Sequence, residues 1–277
     1  MQRSKQRSPC SQAAVVARLL RTQVPGNIQS IERAATILRL LSGRNRVLGV
    51  VDIAGEMGLP KGTVHGLLRT LQSVGFVEQD EESGKYRLGA ALLHMGSSYL
   101  DGNELRTRAL NWSDSLATRT REAVRIGTLH DGQVLVVHHV FRPDDTLQTL
   151  DVGSLLPVHA TALGKVLLAH HPYVASAVAA NGLEAYTNAT ITDADRLMRE
   201  LDRVRAQGWA ADIGELVPGQ VSYAAPIVDR RGITVGAMGI FGPPERLLAA
   251  RQPRGDLLAY VREGARAVSR ELGAIPW

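Results

Sequence analysis

This 277-residue sequence has a single cysteine and no long hydrophobic run. Because Cys10 is alone, it excludes an intrachain disulfide, and its place near the N-terminus favours an inert thiol over a catalytic one. No run of about 18 apolar residues is present, so we expect no membrane-spanning helix. The apolar stretch 13–20 is interrupted by Arg18 and lacks the pattern of a secretory signal, which favours a cytoplasmic protein.

Signatures of catalytic and metal sites are lacking too. The segment HATALGKV has the spacing of a phosphate-binding loop, but His159 and Val166 stand where that loop needs Gly and Ser or Thr. The histidine pairs 138–139 and 170–171 have no spaced Cys or acidic partners, and adjacent strand residues point to opposite faces. No G-x-S-x-G motif occurs. We therefore expect no catalytic residue, no metal and no cofactor.

Positive charge is concentrated at the N-terminal end. Residues 1–95 hold 13 Lys and Arg against 7 Asp and Glu, a net charge of +6, whereas residues 96–277 hold 19 against 20, a net charge of −1. This asymmetry suggests a small polyanion-binding module joined to a neutral domain. A basic tail on an ordinary enzyme is the alternative that charge alone leaves open.

The first third of the chain predicts a helix-turn-helix. A helix over 28–42 comes first, and its broad apolar arc suits burial on two sides, for instance against a partner subunit. A short helix then ends at Gly58, and Pro60 opens a second helix. The predicted buried stripe of the first helix is Ile31, Ala34, Ala35, Leu38 and Leu41; that of the last is Val64, Leu67, Leu68, Leu71 and Val74.

Gly62 and Gly66 lie on the face of this last helix that is opposite its predicted buried stripe. Each costs roughly 1 kcal/mol in a helix relative to alanine, so the helix backbone is expected to approach something closely. In a helix-turn-helix, that partner is the DNA major groove. The strand-like segments 76–79 and 85–88 predict the hairpin wing of a winged helix. The predicted DNA-binding residues are Lys61, Gly62, Thr63, His65, Gly66, Arg69, Thr70, Lys85 and Arg87.

The rest of the chain predicts an α+β domain around a mainly antiparallel sheet, because hairpins alternate with helices. A linker helix is expected over 90–110. Asp131-Gly132 has the composition of a two-residue hairpin turn, and a further strand is expected over 146–153. Helices are expected over 161–170, 172–180, 193–207 and 256–272, with a second hairpin at 221–241.

Several segments resemble the IclR family of bacterial transcription regulators: SIERAATILRLL, DIAGEMGLPKGTVHGLLRTLQSVGFVEQD, GKYRLGAALLHMG and GSLLPVHATALGKVLLAHH. The resemblance covers nearly all of residues 28–272. It implies a disordered basic tail (1–26), a winged helix-turn-helix domain (27–89), a linker helix (90–110) and a GAF-like effector-binding domain (111–277). The family usually has Ser and Arg where Gly62 and Gly66 stand, so the operator sequence is expected to differ.

The resemblance also implies a pocket for an effector at one end of the sheet. The start of the helix at 161 offers free backbone N–H groups that suit an anion. Family members commonly have Ser where Gly239 and Phe241 stand, so the effector is expected to differ from small keto acids. The implied effector-binding residues are Gln148, His159, Thr161, Ala162, Leu163, Gly164, Asp212, Ser222, Gly239 and Phe241.

The function implied is that of a regulator, expected to be a repressor, of a catabolic operon. Its partners would be double-stranded operator DNA, a small anionic effector, and further copies of itself in a homodimer or homotetramer. KGTVHGLLRTLQ and VVHHVFRPDD are most similar to regulators of glycerol operons, which implies glycerol 3-phosphate as the effector. The alternatives are control of aromatic or keto-acid catabolism, a small-molecule-binding enzyme with a nucleic-acid-docking module, and a non-specific DNA-coating protein.

Overall fold

The structure, a computed structural model, describes residues 28–43, 47–144, 146 and 148–274. The chain divides into two units, Met1–Tyr99 and Leu100–Trp277. The tail predicted over 1–26 and its Cys10 lie outside the described residues. Within the described part, no helix is both long and apolar enough to cross a membrane.

The first unit contains a helix-turn-helix followed by a two-stranded wing. Its helices are α1 (Gln29–Leu41), α2 (Val50–Met57) and α3 (Lys61–Ser73). Gly58 ends α2 in the left-handed conformation, with φ +62°, as a tight turn between two helices requires. The antiparallel wing strands are β1 (Val77–Gln79) and β2 (Tyr86–Leu88).

One apolar cluster joins the helices and the wing. Ile37, Ile53 and Leu68 are fully buried in it, and Tyr86 of the wing closes it. Two of the residues predicted to be buried are not: Ile31 is 63% exposed and Val74 is 53% exposed. The buried arc of α1 is instead Thr36, Ile37, Leu40 and Leu41, and Val74 lies at the C-cap of α3, where the chain leaves the helical path.

The single linker helix expected over 90–110 is wrong. Two helices occupy that region, α4 (Ala90–Asp101) and α5 (Glu104–Thr120). Asn103 starts the second, because its side-chain oxygen accepts a hydrogen bond from the N–H of Arg106 at 2.9 Å. The helix cap divides the segment, and Leu105 and Ala109 of α5 are buried in the core of the second unit.

The second unit is built on a six-stranded antiparallel sheet. Its strands are β3 (Ala123–His130), β4 (Gln133–Val140), β5 (Leu155–Pro157), β6 (Ala210–Ile213), β7 (Val221–Val228) and β8 (Thr234–Gly242), in the order β5-β4-β3-β8-β7-β6. The strand expected over 146–153 is also wrong: the described residues of that segment are irregular, and the edge strand β5 begins after the turn at Gly153.

Helices cover both faces of this sheet. They are α6 (Ala162–His170), α7 (Pro172–Ala180), α8 (Ala194–Gln207), the short α9 (Pro244–Leu247) and α10 (Gly255–Glu271), with a small strand pair, β9 (Leu248–Ala249) and β10 (Gln252–Pro253). The α5 and α10 helices pack on one face, and α6 and α8 on the other. Adjacent residues of β7 point to opposite faces of the sheet, so Tyr223 packs in the core beneath α5 and α10, and Ala224 in the core beneath α6 and α8. The predicted α+β class is confirmed.

Replacing Leu68 by alanine is expected to destabilise the first unit by about 2–5 kcal/mol, because a fully buried side chain is lost and a cavity remains. Urea denaturation followed by circular dichroism measures this change. Val74→Ala is the matched control on the same helix, and its effect should be small because Val74 is exposed. Equal losses for the two variants would contradict the packing described here.

Candidate functional sites

The outer face of α3 is uniformly exposed. It comprises the residues predicted for DNA contact on that helix: Lys61, Gly62, Thr63, His65, Gly66, Arg69 and Thr70. The other two predicted contacts, Lys85 and Arg87, are exposed on the wing. An exposed helix beside a hairpin that carries two exposed basic side chains has the chemistry needed to meet a nucleic acid, with the helix at the bases and these two side chains at the backbone. The acidic turn of the hairpin, residues 80–82, has the opposite charge and is expected to face away from a phosphate.

The chain's own packing does not require the two glycines of α3. A Cβ atom built at Gly62 or Gly66 meets no atom within 4 Å. The helix stability that these two glycines cost is therefore not explained by packing within the described residues. A molecule that approaches the helix backbone closely from outside the chain would explain it. No side chain caps the start of α3 and no acidic residue lies in its first turn, which leaves this helix end open to a phosphate.

The basic side chains on this surface differ in whether they form ion pairs within the chain. Lys61, Arg69 and Lys85 make no ion pair with any other described residue. Arg87 instead pairs with Glu78 across the wing at 3.1 Å, with both side chains about half exposed. A phosphate would compete with Glu78 for Arg87, so its net contribution to binding is expected to be smaller than that of Arg69.

A narrow, partly open pocket in the second unit brings together seven of the ten predicted effector-binding residues. They are Thr161, Ala162, Leu163, Asp212, Ser222, Gly239 and Phe241. Its volume of about 20 Å³ is room for about one water molecule. A ligand of several heavy atoms therefore enters only if lining residues move. The remaining lining residues were not predicted: Arg125, Leu156, Leu216, Gln220, Tyr223 and Ile240.

Three predicted residues do not line the pocket. The side-chain amide of Gln148 bonds the backbone of Arg142 in both directions, at 2.7 and 2.9 Å. The Nε2 atom of His159 lies 2.9 Å from the carbonyl oxygen of Glu184. Gly164 is required by packing, because a Cβ there would lie 2.2 Å from the carbonyl oxygen of Val158. Gln148, His159 and Gly164 therefore do not form the pocket wall, contrary to the prediction.

Arg125 is the main feature of the pocket that the sequence reasoning missed. Its Nε donates to Asp151 at 2.8 Å, and its guanidinium carbon lies 3.4 Å from the ring centre of Phe241. Burial lowers the pKa of the guanidinium while Asp151 raises it, and arginine stays charged under both influences. A lone Arg inside the apolar strand segment 123–127 was the signal that would have found it.

Asp212 lies opposite, on the edge strand β6. Its Oδ1 accepts from the N–H of Glu215 at 2.7 Å, and Ser222 donates to its Oδ2 at 3.3 Å. Burial raises the pKa of Asp212 to about 6, against the lowering effect of those hydrogen bonds and of nearby Lys165. The pocket thus holds a fixed cation and a carboxyl group that is neutral below about pH 6.

The start of α6 forms the third wall. Thr161 caps it: the hydroxyl accepts from the N–H of Gly164 at 3.1 Å and donates to the carbonyl of Pro157 at 2.9 Å. Ala162 and Leu163 follow at the pocket surface. No group of three His, Cys, Asp or Glu side chains in the described part of the chain is arranged to hold a metal ion.

Comparison with known proteins matches both units. The model of the IclR helix-turn-helix domain matches residues 30–81, and that of the bacterial transcriptional regulator IclR C-terminal domain matches residues 97–270. Together they span most of the chain, and the first covers α2, α3 and the turn between them.

Curated relatives and solved structures agree with this match. The glycerol operon regulatory protein of Streptomyces coelicolor is 54% identical over 90% of this chain and 98% of its own length. The transcriptional repressor AllR of Salmonella typhi is 31% identical over 90% of this chain and 91% of its own. A solved structure of an IclR homologue from Microbacterium hydrocarbonoxydans, complexed with 4-hydroxybenzoate, has a TM-score of 0.75 and 26% identity, covering 88% of this chain and 99% of that one.

The raised pKa of Asp212 predicts a pH-dependent stability. A carboxyl group with a higher pKa in the folded than in the unfolded protein stabilises the fold at low pH, and this contribution is lost as the pH rises through about 6. Compared with Asp212→Asn, the natural protein should therefore lose stability between about pH 4 and 6, by at most about 3 kcal/mol. Urea denaturation at several pH values measures the difference.

The control for that measurement is Asp101→Asn, since Asp101 is exposed and makes no ion pair with another described residue. Its difference from the natural protein should not change with pH in this range. A constant difference for Asp212→Asn as well would contradict the burial of the Asp212 carboxyl group.

Proposed function

Because this chain belongs to the IclR family of bacterial transcriptional regulators, we propose that it controls an operon for glycerol catabolism in response to a small anionic effector. It is a DNA-binding transcription regulator, not an enzyme. The observation that carries the proposal is the guanidinium of Arg125, whose side chain is 16% exposed, in the pocket of a chain whose 54% identical relative is a glycerol operon regulatory protein. Glycerol 3-phosphate is the effector we propose, since phosphate is a strong ligand for arginine.

In this proposal α3 enters the major groove of the operator. Gly62 and Gly66 let its backbone approach the bases, while Arg69 and His65 reach base edges or phosphates. Lys61, Thr63 and Thr70 contact phosphates, with Lys85 and Arg87 at the flanking backbone. We propose that the protein represses, as its relative AllR is named to do, and that it works in the cytoplasm, where bacterial operator DNA lies.

The effector acts through this narrow pocket of the second unit. Its anionic group binds Arg125 and competes with Asp151 for the guanidinium, while Ser222 and the start of α6 hold its polar atoms. The pocket must open to admit it, so the ligand favours a conformation with displaced lining residues. This difference in affinity between two conformations is what changes operator binding.

Apolar side chains that the first unit leaves exposed support our proposal that the chain forms a homodimer or homotetramer. Ile28 and Ile31 at α1 are each 63% exposed, and Leu93, Met95 and Tyr99 of α4 are 76%, 56% and 57% exposed. No residue of α4 is buried. We propose that a second copy covers these side chains, which would pair two α3 helices for two half-sites of an operator.

A small aromatic carboxylate is the second candidate for the effector. The stacking of Arg125 on Phe241 favours it, because an aromatic ring and a cation side by side suit a planar acid. The Microbacterium homologue with bound 4-hydroxybenzoate is a solved example of such a ligand within this family. Isothermal titration with glycerol 3-phosphate and with 4-hydroxybenzoate distinguishes the two.

Fluorescence anisotropy tests the proposed function directly. Labelled DNA from upstream of the gene itself is compared with random DNA at about 0.15 M salt, with and without glycerol 3-phosphate. We expect a preference for the upstream DNA that the effector changes. A preference without an effector response would refute the proposed effector, and equal binding to both DNAs would refute sequence-specific recognition.

Replacing Gly66 by alanine should weaken operator binding by about tenfold or more, because the new methyl group holds the helix backbone away from the DNA. The free protein should become slightly more stable, since that methyl meets no atom within 4 Å. Gly55→Ala is the matched control: it lies exposed in α2, with equal space around it. Similar operator affinities for the two variants would remove Gly66 from the interface.

Replacing Arg125 by glutamine should lower the affinity for glycerol 3-phosphate by about 10- to 100-fold, the loss of a charge-assisted hydrogen bond. Operator affinity without effector should stay the same. Arg119→Gln is the control, because Arg119 makes a surface ion pair with Glu263 away from the pocket. Unchanged effector affinity in Arg125→Gln would show that the start of α6, rather than Arg125, binds the anion.

A further inference from the structure

A second and larger cavity lies on the outer side of α8 and β6. Its volume is about 670 Å³, within the usual range for small-molecule sites. It shares no lining residue with the effector pocket. Because side chains alternate along a strand, Asp212 of β6 points to the effector pocket, while Ala211 and Ile213 point to this cavity. We call it the arginine cleft, after Arg196, Arg199 and Arg203.

Those three arginines share one face of α8, at positions i, i+3 and i+7. The guanidinium groups of Arg196 and Arg199 make no ion pair with another described residue. Arg203 is paired with Glu200. Four basic and two acidic side chains line the cleft, a formal excess of two positive charges in a domain that is otherwise close to neutral.

The acidic side chains in the cleft are already engaged by the chain itself. Lys165 is 1% exposed at the floor, with its Nζ 2.5 Å from Glu215 and 3.8 Å from Glu200. The positive charge that remains unmatched is therefore that of Arg196 and Arg199, at the mouth of the cleft. Like charges three residues apart, as in Arg196 and Arg199, destabilise a helix, and neither guanidinium group has an ion pair in the described chain to offset this repulsion.

Apolar and aromatic side chains also line the cleft. Trp209 lies half-buried directly before the start of β6, and Ala211 and Ile213 follow along the strand. The cleft therefore combines a cation-rich helix face, which offers guanidinium groups for phosphate oxygens, with an indole ring, which offers a flat apolar surface for a ring. The effector pocket, by contrast, holds one cation and no comparable space.

We propose that the arginine cleft is a second ligand site, which binds a small molecule carrying a diphosphate group. From Arg196 to Arg199, the two cleft arginines without an ion pair among the described residues, the helix rises by about 4.5 Å, a span that suits two linked phosphates better than one. Arginine binds phosphate through two parallel hydrogen bonds, and the charge of the diphosphate removes the repulsion along α8. The site is independent of the proposed effector.

Isothermal titration of the full-length protein with pyrophosphate and with ADP tests this site at about 0.15 M salt. The cleft variant is Arg196→Gln with Arg199→Gln. The control is Arg266→Gln with Arg270→Gln. These two arginines are exposed on α10 at i, i+4 spacing, and replacing them removes the same charge as the cleft variant does. We expect one pyrophosphate per chain, at least about tenfold weaker binding in the cleft variant, and unchanged binding in the control.

Two outcomes overturn the proposal: no saturable binding of either probe, or equal weakening in the cleft and control variants, which would mean non-specific attraction. If the double variant fails to fold, by its thermal melt, Arg199→Gln alone replaces it with a smaller expected loss. Tighter binding of ADP than of pyrophosphate, abolished by Trp209→Leu, identifies a nucleotide. Equal affinities identify the diphosphate group alone.

Saturating glycerol 3-phosphate during the same titration separates this site from the proposed effector pocket. Pyrophosphate that still binds with one site per chain occupies the arginine cleft. Full competition by glycerol 3-phosphate would overturn the second site, and would leave the proposed function standing. Failure of glycerol 3-phosphate to bind at all would refute the proposed effector without affecting the cleft.

Discussion

The second unit depends on one buried cation. Lys165 is 1% exposed in the middle of α6, where an unpaired ammonium group would cost several kcal/mol. Its partners, Glu215 and Glu200, come from the segment after β6 and from α8. The α6 and α8 helices and the segment after β6 therefore pack together around the Lys165 ammonium group. This packing places the α6 residues that line the two cavities.

This cluster also determines how close the two cavities lie. Glu215 receives the ammonium group on its side chain, donates its N–H to Asp212, and accepts from Thr190 through its carbonyl. The first residues of α6 form a wall of the effector pocket, while Lys165, about one turn later, lies at the floor of the arginine cleft. The α6 helix thus contributes different residues to the two cavities.

In the first unit, the candidate functional residues lie on an exposed surface rather than in a buried pocket. Leu68 and its neighbours hold α3 on the core, and everything on the opposite side is exposed. The glycines there give up helix stability, and the open helix start and the free Arg69 leave donors unused by the chain itself. These exposed and unused donors support the proposed contact of α3 with DNA, a polyanion.

The sequence by itself determined the helix-turn-helix, because its signals are local: a left-handed Gly58, Pro60 at the next helix and apolar residues at helical spacing. It also determined the α+β class of the second unit and its hairpins. Tertiary structure alone decided that Arg125 enters the pocket and that Gln148 and His159 do not, since strand partners far apart in the chain set that wall. It likewise decided the break at Asn103, where a cap interrupts an apolar pattern that continues, and the arginine cleft, which exists only because α8 packs beside the edge strand β6.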